Sequence, residues 1–174
     1  MKKILLLPAA VLLSFCCSNK ELAKADGAKN IKMESQCPSD GTCSTEVFKN
    51  KTLVVKTDAY GSIYYQMEDD ENTSVIVYQY NRTVKGDLQD ANYKEEVVFE
   101  INNNETALSL ENTSLQKSKM LFGRICFCRG QTGYYKVEEG QLNLTKNNNF
   151  ITFNLDFTIT KVPQIIKNIN TTIN

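Results

Sequence analysis

From Ile151 onward the segment "FITFNLDFTIT" alternates without a fault: Ile151, Phe153, Leu155, Phe157 and Ile159 are apolar, while Thr152, Asn154, Asp156, Thr158 and Thr160 are polar. Successive side chains of a β-strand point to opposite faces, so this pattern describes a strand with one face on a core and the other in water. The same period of two recurs along the chain. In "YKEEVVFEI" Tyr93, Val97, Phe99 and Ile101 share a face, with Glu95 as the exception. "TSVIVYQY", Thr73 to Tyr80, is apolar on both faces and reads as a central strand. Shorter strands are expected at 46–48, 52–57, 62–67, 106–110, 120–128, 134–137 and 142–145. The connections "YGS", "EDDEN", "VKGDLQDAN", "NNNE", "RGQTG", "EEG" and "KNNN" are rich in Gly, Asn and Asp, the residues that accept positive φ or cap their own backbone. Short strands at this spacing predict an all-β fold, mainly an antiparallel sandwich or barrel. The last segment, "VPQIIKNINTTIN", has Ile165, Ile166 and Ile169 at helical spacing after Pro163, and reads as either a short C-terminal helix or a final strand.

The N-terminus carries a different kind of signal. "MKKILLLPAAVLLSFCCSNKE" places Lys2 and Lys3 before the apolar run Ile4 to Leu13. That run is shorter than the ~20 residues needed to span a bilayer and has the form of a secretory signal. "LLSFCC" resembles the lipobox of bacterial lipoproteins, in which the peptide is cut just before a cysteine that then receives fatty acyl chains such as palmitate. The resemblance covers about the first twenty residues and implies a signal peptide at 1–16 and lipidation of Cys17; the polar stretch that follows, without strand periodicity, reads as a tether at 17–35 ahead of a β domain at 36–174. Cleavage before Cys16 is the alternative, and it would leave bulky Phe15 at the cut. An ordinary signal peptide followed by a soluble protein is the rival reading. The segment "FCCSNKE" and the later Asn and Lys richness resemble lipoproteins of the Bacteroidota, which implies a cell-envelope location at the outer membrane, held there by the lipid. A cysteine bearing several chains makes a stable anchor. In such a host "NKT", "NTS", "NRT", "NET", "NLT" and "NTT" reflect an Asn- and Thr-rich β protein rather than glycan acceptors; a eukaryotic host would reverse that reading.

Export decides how the cysteines are read. Beyond Cys16 and Cys17 there remain Cys37, Cys43, Cys126 and Cys128. An even number in an oxidising compartment favours disulfides. On an extended strand Cys126 and Cys128 point the same way with Cα atoms about 6.6 Å apart, near the upper limit for a bridge. Their shared aim predicts two bridges lacing Cys37 and Cys43 of "CPSDGTC" onto Cys126 and Cys128, in either order. The competing plan joins Cys37 to Cys43 and Cys126 to Cys128. Two functional readings stand beside these staples. A Cys-x-Cys disulfide beside Arg124 and Arg129 suits thiol–disulfide exchange, since cations lower a thiolate pKa. Four thiolates could also hold zinc, although this spacing departs from the usual knuckles.

Other features narrow the function by exclusion. The chain has no histidine, so Ser-His-Asp and Cys-His nucleophile systems are out, and the commonest transition-metal ligand is missing. Lys plus Arg and Asp plus Glu both number 20 with no basic block, which leaves nucleic-acid binding without an electrostatic footprint. There is no tryptophan for sugar stacking, though the eight tyrosines could substitute. "MEDDEN" lacks the spacing of a calcium loop and reads as a solvated hairpin tip. Asp87 and Asp90 read as loop residues. Glu95, Glu96 and Glu100 could do acid–base work only if a cleft paired two of them. The tyrosines of "YGSIYY" and "VYQY" could line a pocket, but strand propensity explains them; Tyr134 and Tyr135, with Ile125 and Phe127, suit a core strand beside a bridge as well as an active site. The expectation is a non-enzymatic, cofactor-free lipoprotein that binds a ligand or an envelope protein. The alternatives are redox or metal handling through Cys126 and Cys128, and a lipocalin-like carrier of an apolar molecule.

Overall fold

The computed structural model describes residues 37–84, 86 and 92–174. The signal segment 1–16, Cys17, the tether 17–35, Asp87 and Asp90 lie outside the described residues. Among those described, the strands are β1 (Gly41–Thr57), β2 (Ile63–Arg82), β3 (Tyr93–Asn102), β4 (Ala107–Glu111), β5 (Leu121–Cys126), β6 (Gly133–Lys136), β7 (Gly140–Lys146), β8 (Ile151–Phe157) and β9 (Asn168–Ile173). The fold is all-β. Its short helix is a 3-10 turn at Asn112–Ser118, between β4 and β5.

The strands form two antiparallel sheets, β1-β2-β3-β5-β6 and β4-β7-β8-β9. In the first, β6 returns to β2 at Tyr134 and Ile63, so that β2, β3, β5 and β6 close into a narrow barrel. The closure depends on two long strands that bend. β1 and β2 are one hairpin whose register breaks between Lys49 and Lys51, at Asn50 with φ of 56°. Opposite Asn50, residues 70–73 of β2 lack a β1 partner. Asn103 ties down that bend: its amide donates to the carbonyls of Glu71 (2.8 Å) and Thr73 (3.0 Å), and its Oδ1 accepts from the Ser74 hydroxyl (2.6 Å). "EDDEN" is therefore an exposed bend within β2, not a hairpin tip, and the expected strands 62–67 and 73–80 are one element.

Bending produces two cores. The face of β3 carrying Val97, Phe99 and Ile101 packs against the second sheet, where Phe99 meets Phe153 edge-on at 5.3 Å and Phe122 meets Phe157 at 5.8 Å. The opposite face looks into the barrel, filled by Leu53, Val75, Val77, Val98 and Leu121. The outer edge of β1 is not left open there. Leu53 donates its N–H to Glu100 (2.8 Å) and its carbonyl accepts from Lys119 (2.8 Å), while Lys119 and Glu100 pair with each other at 2.9 Å.

Residues 165–173 do not form a helix. Ile165 and Ile166 donate their backbone N–H groups to Glu95 (2.8 and 2.7 Å), which holds this connection against the first sheet. Gln164 takes the carbonyls of Phe157 and Ile166. The chain then enters β9, with Ile169, Thr171 and Ile173 buried. The choice between helix and strand follows period two over "NINTTI", which lets β9 bury one face while pairing with β8.

Candidate functional site

The cysteines pair as near neighbours. Cys37 joins Cys43 and Cys126 joins Cys128, with Cα separations of 5.8 and 5.2 Å. The predicted lacing between the two segments is thus corrected. It assumed that Cys126 and Cys128 both lie on a strand, but β5 ends at Cys126 and the chain bends at Phe127. The bend shortens the extended spacing of about 6.6 Å and lets the two sulfurs meet. Both bridges cap the same end of the first sheet, since Cys43 is registered with Tyr80, Tyr80 with Glu95, and Cys126 with Tyr93. All four sulfurs are taken up, and among the described residues no group of three or more His, Cys, Asp or Glu is placed to hold a metal ion.

The arginine beside the Cys126–Cys128 bridge is occupied elsewhere. Arg124, buried, donates Nε to the Tyr93 hydroxyl (3.3 Å) and Nη1 to the carbonyl and side chain of Gln131 (both 3.2 Å). It closes the β5–β6 loop rather than addressing a sulfur. The Tyr93 ring sits between two guanidiniums, Arg82 at 4.6 Å and Arg124 at 5.3 Å. Burial, then the hydrogen bond to Glu95, push the Tyr93 phenol up to about 12. Nearby, the Tyr80 hydroxyl donates to Asp40 (2.7 Å) and holds that carboxyl below its usual range.

The three glutamates of β3 do not form a working pair. Glu95, 1% exposed, accepts from Tyr93 (2.5 Å) and from the N–H groups of Ile165 and Ile166, pinning the β8–β9 connection onto the first sheet. Glu96 points to the opposite face, where Oε1 accepts from Tyr65 (2.8 Å) and Tyr134 (2.9 Å) and Oε2 from Gln79 (2.9 Å) and Lys94 (3.1 Å). Burial and the adjacent carboxylate raise both phenols well above the usual tyrosine range. Glu100 is held by Thr52, Leu53 and Lys119. Each of these three carboxylates is surrounded by donors, which suits a structural role. A ring of four strands is also much tighter than the eight-stranded barrels that hold a small ligand, and its inward face is taken up by an aliphatic cluster with Tyr65 and Tyr134 packed against it and bonded to Glu96.

Nothing among protein-family models, curated proteins or solved structures matches this chain.

An open concavity lies on the outward face of the second sheet. It has a volume of about 600 Å³ and runs across all four strands. Antiparallel register aligns Ser109 with Asn143, Asn143 with Asn154, and Asn154 with Asn170 in one continuous row. The next row reads Ala107, Thr145, Thr152 and Thr172. Parts of this surface are locked in place: Ser109 donates to Asn143 Oδ1 (2.9 Å), and the Thr152 and Thr172 hydroxyls lie 3.1 Å apart. Charge enters at one border, through Glu111 and Asp156, each engaged by a neighbouring side-chain amide of Gln141 or Asn168. Sequence reading found the polar side of β8 but not the row, because alternation shows that Asn154 faces water without showing what lies beside it.

Proposed function

We propose that this chain is an exported, lipid-anchored and non-catalytic binding protein of the bacterial cell envelope. Its β domain presents the concave outer face of the second sheet to a ligand or envelope component. The observation that carries the binding role is the concavity itself, an uncharged surface in which amide and hydroxyl groups stand among apolar lining from Ala107, Leu108, Leu144 and Phe153, on a broad sheet face that no other described element covers. Export is supported by the N-terminal "MKKILLLPAAVLLSFCC" and by two disulfides, which persist in oxidising compartments. The commitment of Glu95, Glu96 and Glu100 to internal donors supports a role without catalysis.

Anchor and face are tested separately. Cells fed an alkyne-bearing fatty acid should label the protein and retain it in the membrane fraction, and Cys17→Ala should abolish both. A diazirine side chain placed at position 143 should yield a defined adduct in intact cells, whereas the same group at exposed position 161 should not. Equal adducts at both positions, or none at 143, would sink the binding role. Unlabelled, soluble wild-type protein would sink the anchor.

A further inference from the structure

The amide row of the second sheet specifies a class of ligand. We infer that the concave face binds an uncharged, polyhydroxylated chain, that is, a neutral glycan. This inference rests on the binding role proposed above and adds the chemistry of what is bound.

Asparagine is depleted in strands, yet Asn143, Asn154 and Asn170 occupy interior positions of three adjacent strands and line up directly. The neighbouring row shows that threonine, which favours strands, is available to this sequence at equivalent places. Three unfavourable residues in register are a local violation of sheet preference of the kind that function explains. Their chemistry is specific. A side-chain amide offers two donors and an acceptor, and a hydroxyl both donates and accepts. Ser109 engages only Oδ1 of Asn143, and the amides of Asn154 and Asn170 make no hydrogen bond to other described residues. These free groups stand about 4.7–4.9 Å apart across the strands and face a concavity rather than a convex surface.

A ligand matching this surface must donate and accept at many points while carrying no charge. An anion would meet no cation in either row and would face Glu111 and Asp156 at the border. An apolar molecule would have to strip water from amides and hydroxyls without replacing it. A sugar chain satisfies both conditions, and its C–H faces can rest on the apolar part of the lining, to which Ala107, Leu108, Leu144 and Phe153 contribute. The missing tryptophan is therefore no obstacle to a site that works mainly by hydrogen bonds.

The test uses the full-length protein in detergent with dextran, mannan, xylan and a mixed-linkage β-glucan, and with heparin and polygalacturonate as anionic controls. The expected result is binding of at least one neutral polymer that is insensitive to salt. Asn143→Ala and Asn154→Ala should each weaken it about three- to tenfold with an unchanged melting temperature, as the loss of one or two hydrogen bonds at an exposed site predicts. Binding of none of the four neutral polymers, salt-dependent binding of the anionic controls alone, or affinity unaltered in both variants would overturn the glycan assignment. If the diazirine at position 143 still captures a partner while every glycan fails, the face binds something else; if both fail, the binding role falls as well.

Discussion

Thr171 is fully buried on the core face of β9, and its hydroxyl has no hydrogen-bond partner among the described residues; the same is true of Thr45 on β1. A buried hydroxyl without a partner is costly, and valine has nearly the same shape. Thr171→Val should therefore raise the unfolding free energy by about 1 kcal/mol, and Thr45→Val should do the same. Urea denaturation measures this, and a lower midpoint in either variant would mean that the hydroxyl is satisfied after all. Glu95 is the opposite case, a carboxyl group in the apolar layer between the sheets, both of whose oxygens accept hydrogen bonds. Glu95→Ala should cost about 2–4 kcal/mol, since it orphans the buried N–H of Ile166, the half-buried N–H of Ile165 and the Tyr93 hydroxyl. A loss below about 1 kcal/mol would show that the β8–β9 connection does not need it. Sequence alone marks Glu95 as an exception on an apolar face, but not the reason. Its partners, Ile165 and Ile166, lie some seventy residues away and donate through backbone, which no side-chain pattern reveals.

At the level of elements, most strands are legible because period two survives wherever one face is buried, as in β3 and β8. The failures share a cause. Asn50 and "EDDEN" carry the composition of turns, yet they act as a bulge and a bend inside long strands, and residue type does not distinguish a reversal from a kink. Strand length is hidden for that reason, and with it the barrel that the bent hairpin closes. The Cys126–Cys128 bridge escapes sequence reading because the end of β5 depends on the β5–β6 loop, which Arg124 and Gln131 draw in. The corrected pairing alters the energetics. A bridge stabilises according to the loop it closes, and these loops span sequence separations of only 6 and 2. Replacing both cysteines of a pair by serine should cost about 2.5 kcal/mol for Cys37–Cys43 and about 1.5 kcal/mol for Cys126–Cys128. Denaturant midpoints of the two double variants would check this. A loss beyond about 4 kcal/mol in either would point to links between distant segments.

For the molecule as a whole, stability is tied to protonated phenols. Tyr93, Tyr65 and Tyr134 all donate to buried glutamates, and burial raises each phenol above its unfolded value of about 10. A raised folded pKa means that their contribution is complete below pH about 10 and is lost as pH climbs from there toward and beyond 12. Alkaline titration should show tyrosinate absorbance from these groups rising together with the loss of β-sheet circular dichroism. Ionisation that is finished while the sheet signal is intact would contradict this. The candidate site belongs to this scale too, because the row Ser109, Asn143, Asn154 and Asn170 exists only once four strands have found their register, and no single stretch of sequence contains it. The pairing of each cysteine with its nearest neighbour has one more effect. A polypeptide threaded across a membrane amino end first would have Cys37 and Cys43 together on the far side long before Cys126 emerges, and Cys126 and Cys128 would then arrive almost at once. Once Cys16 has been removed and Cys17 acylated, as the proposed export would require, order of arrival would favour the native partners and a simple oxidant would suffice.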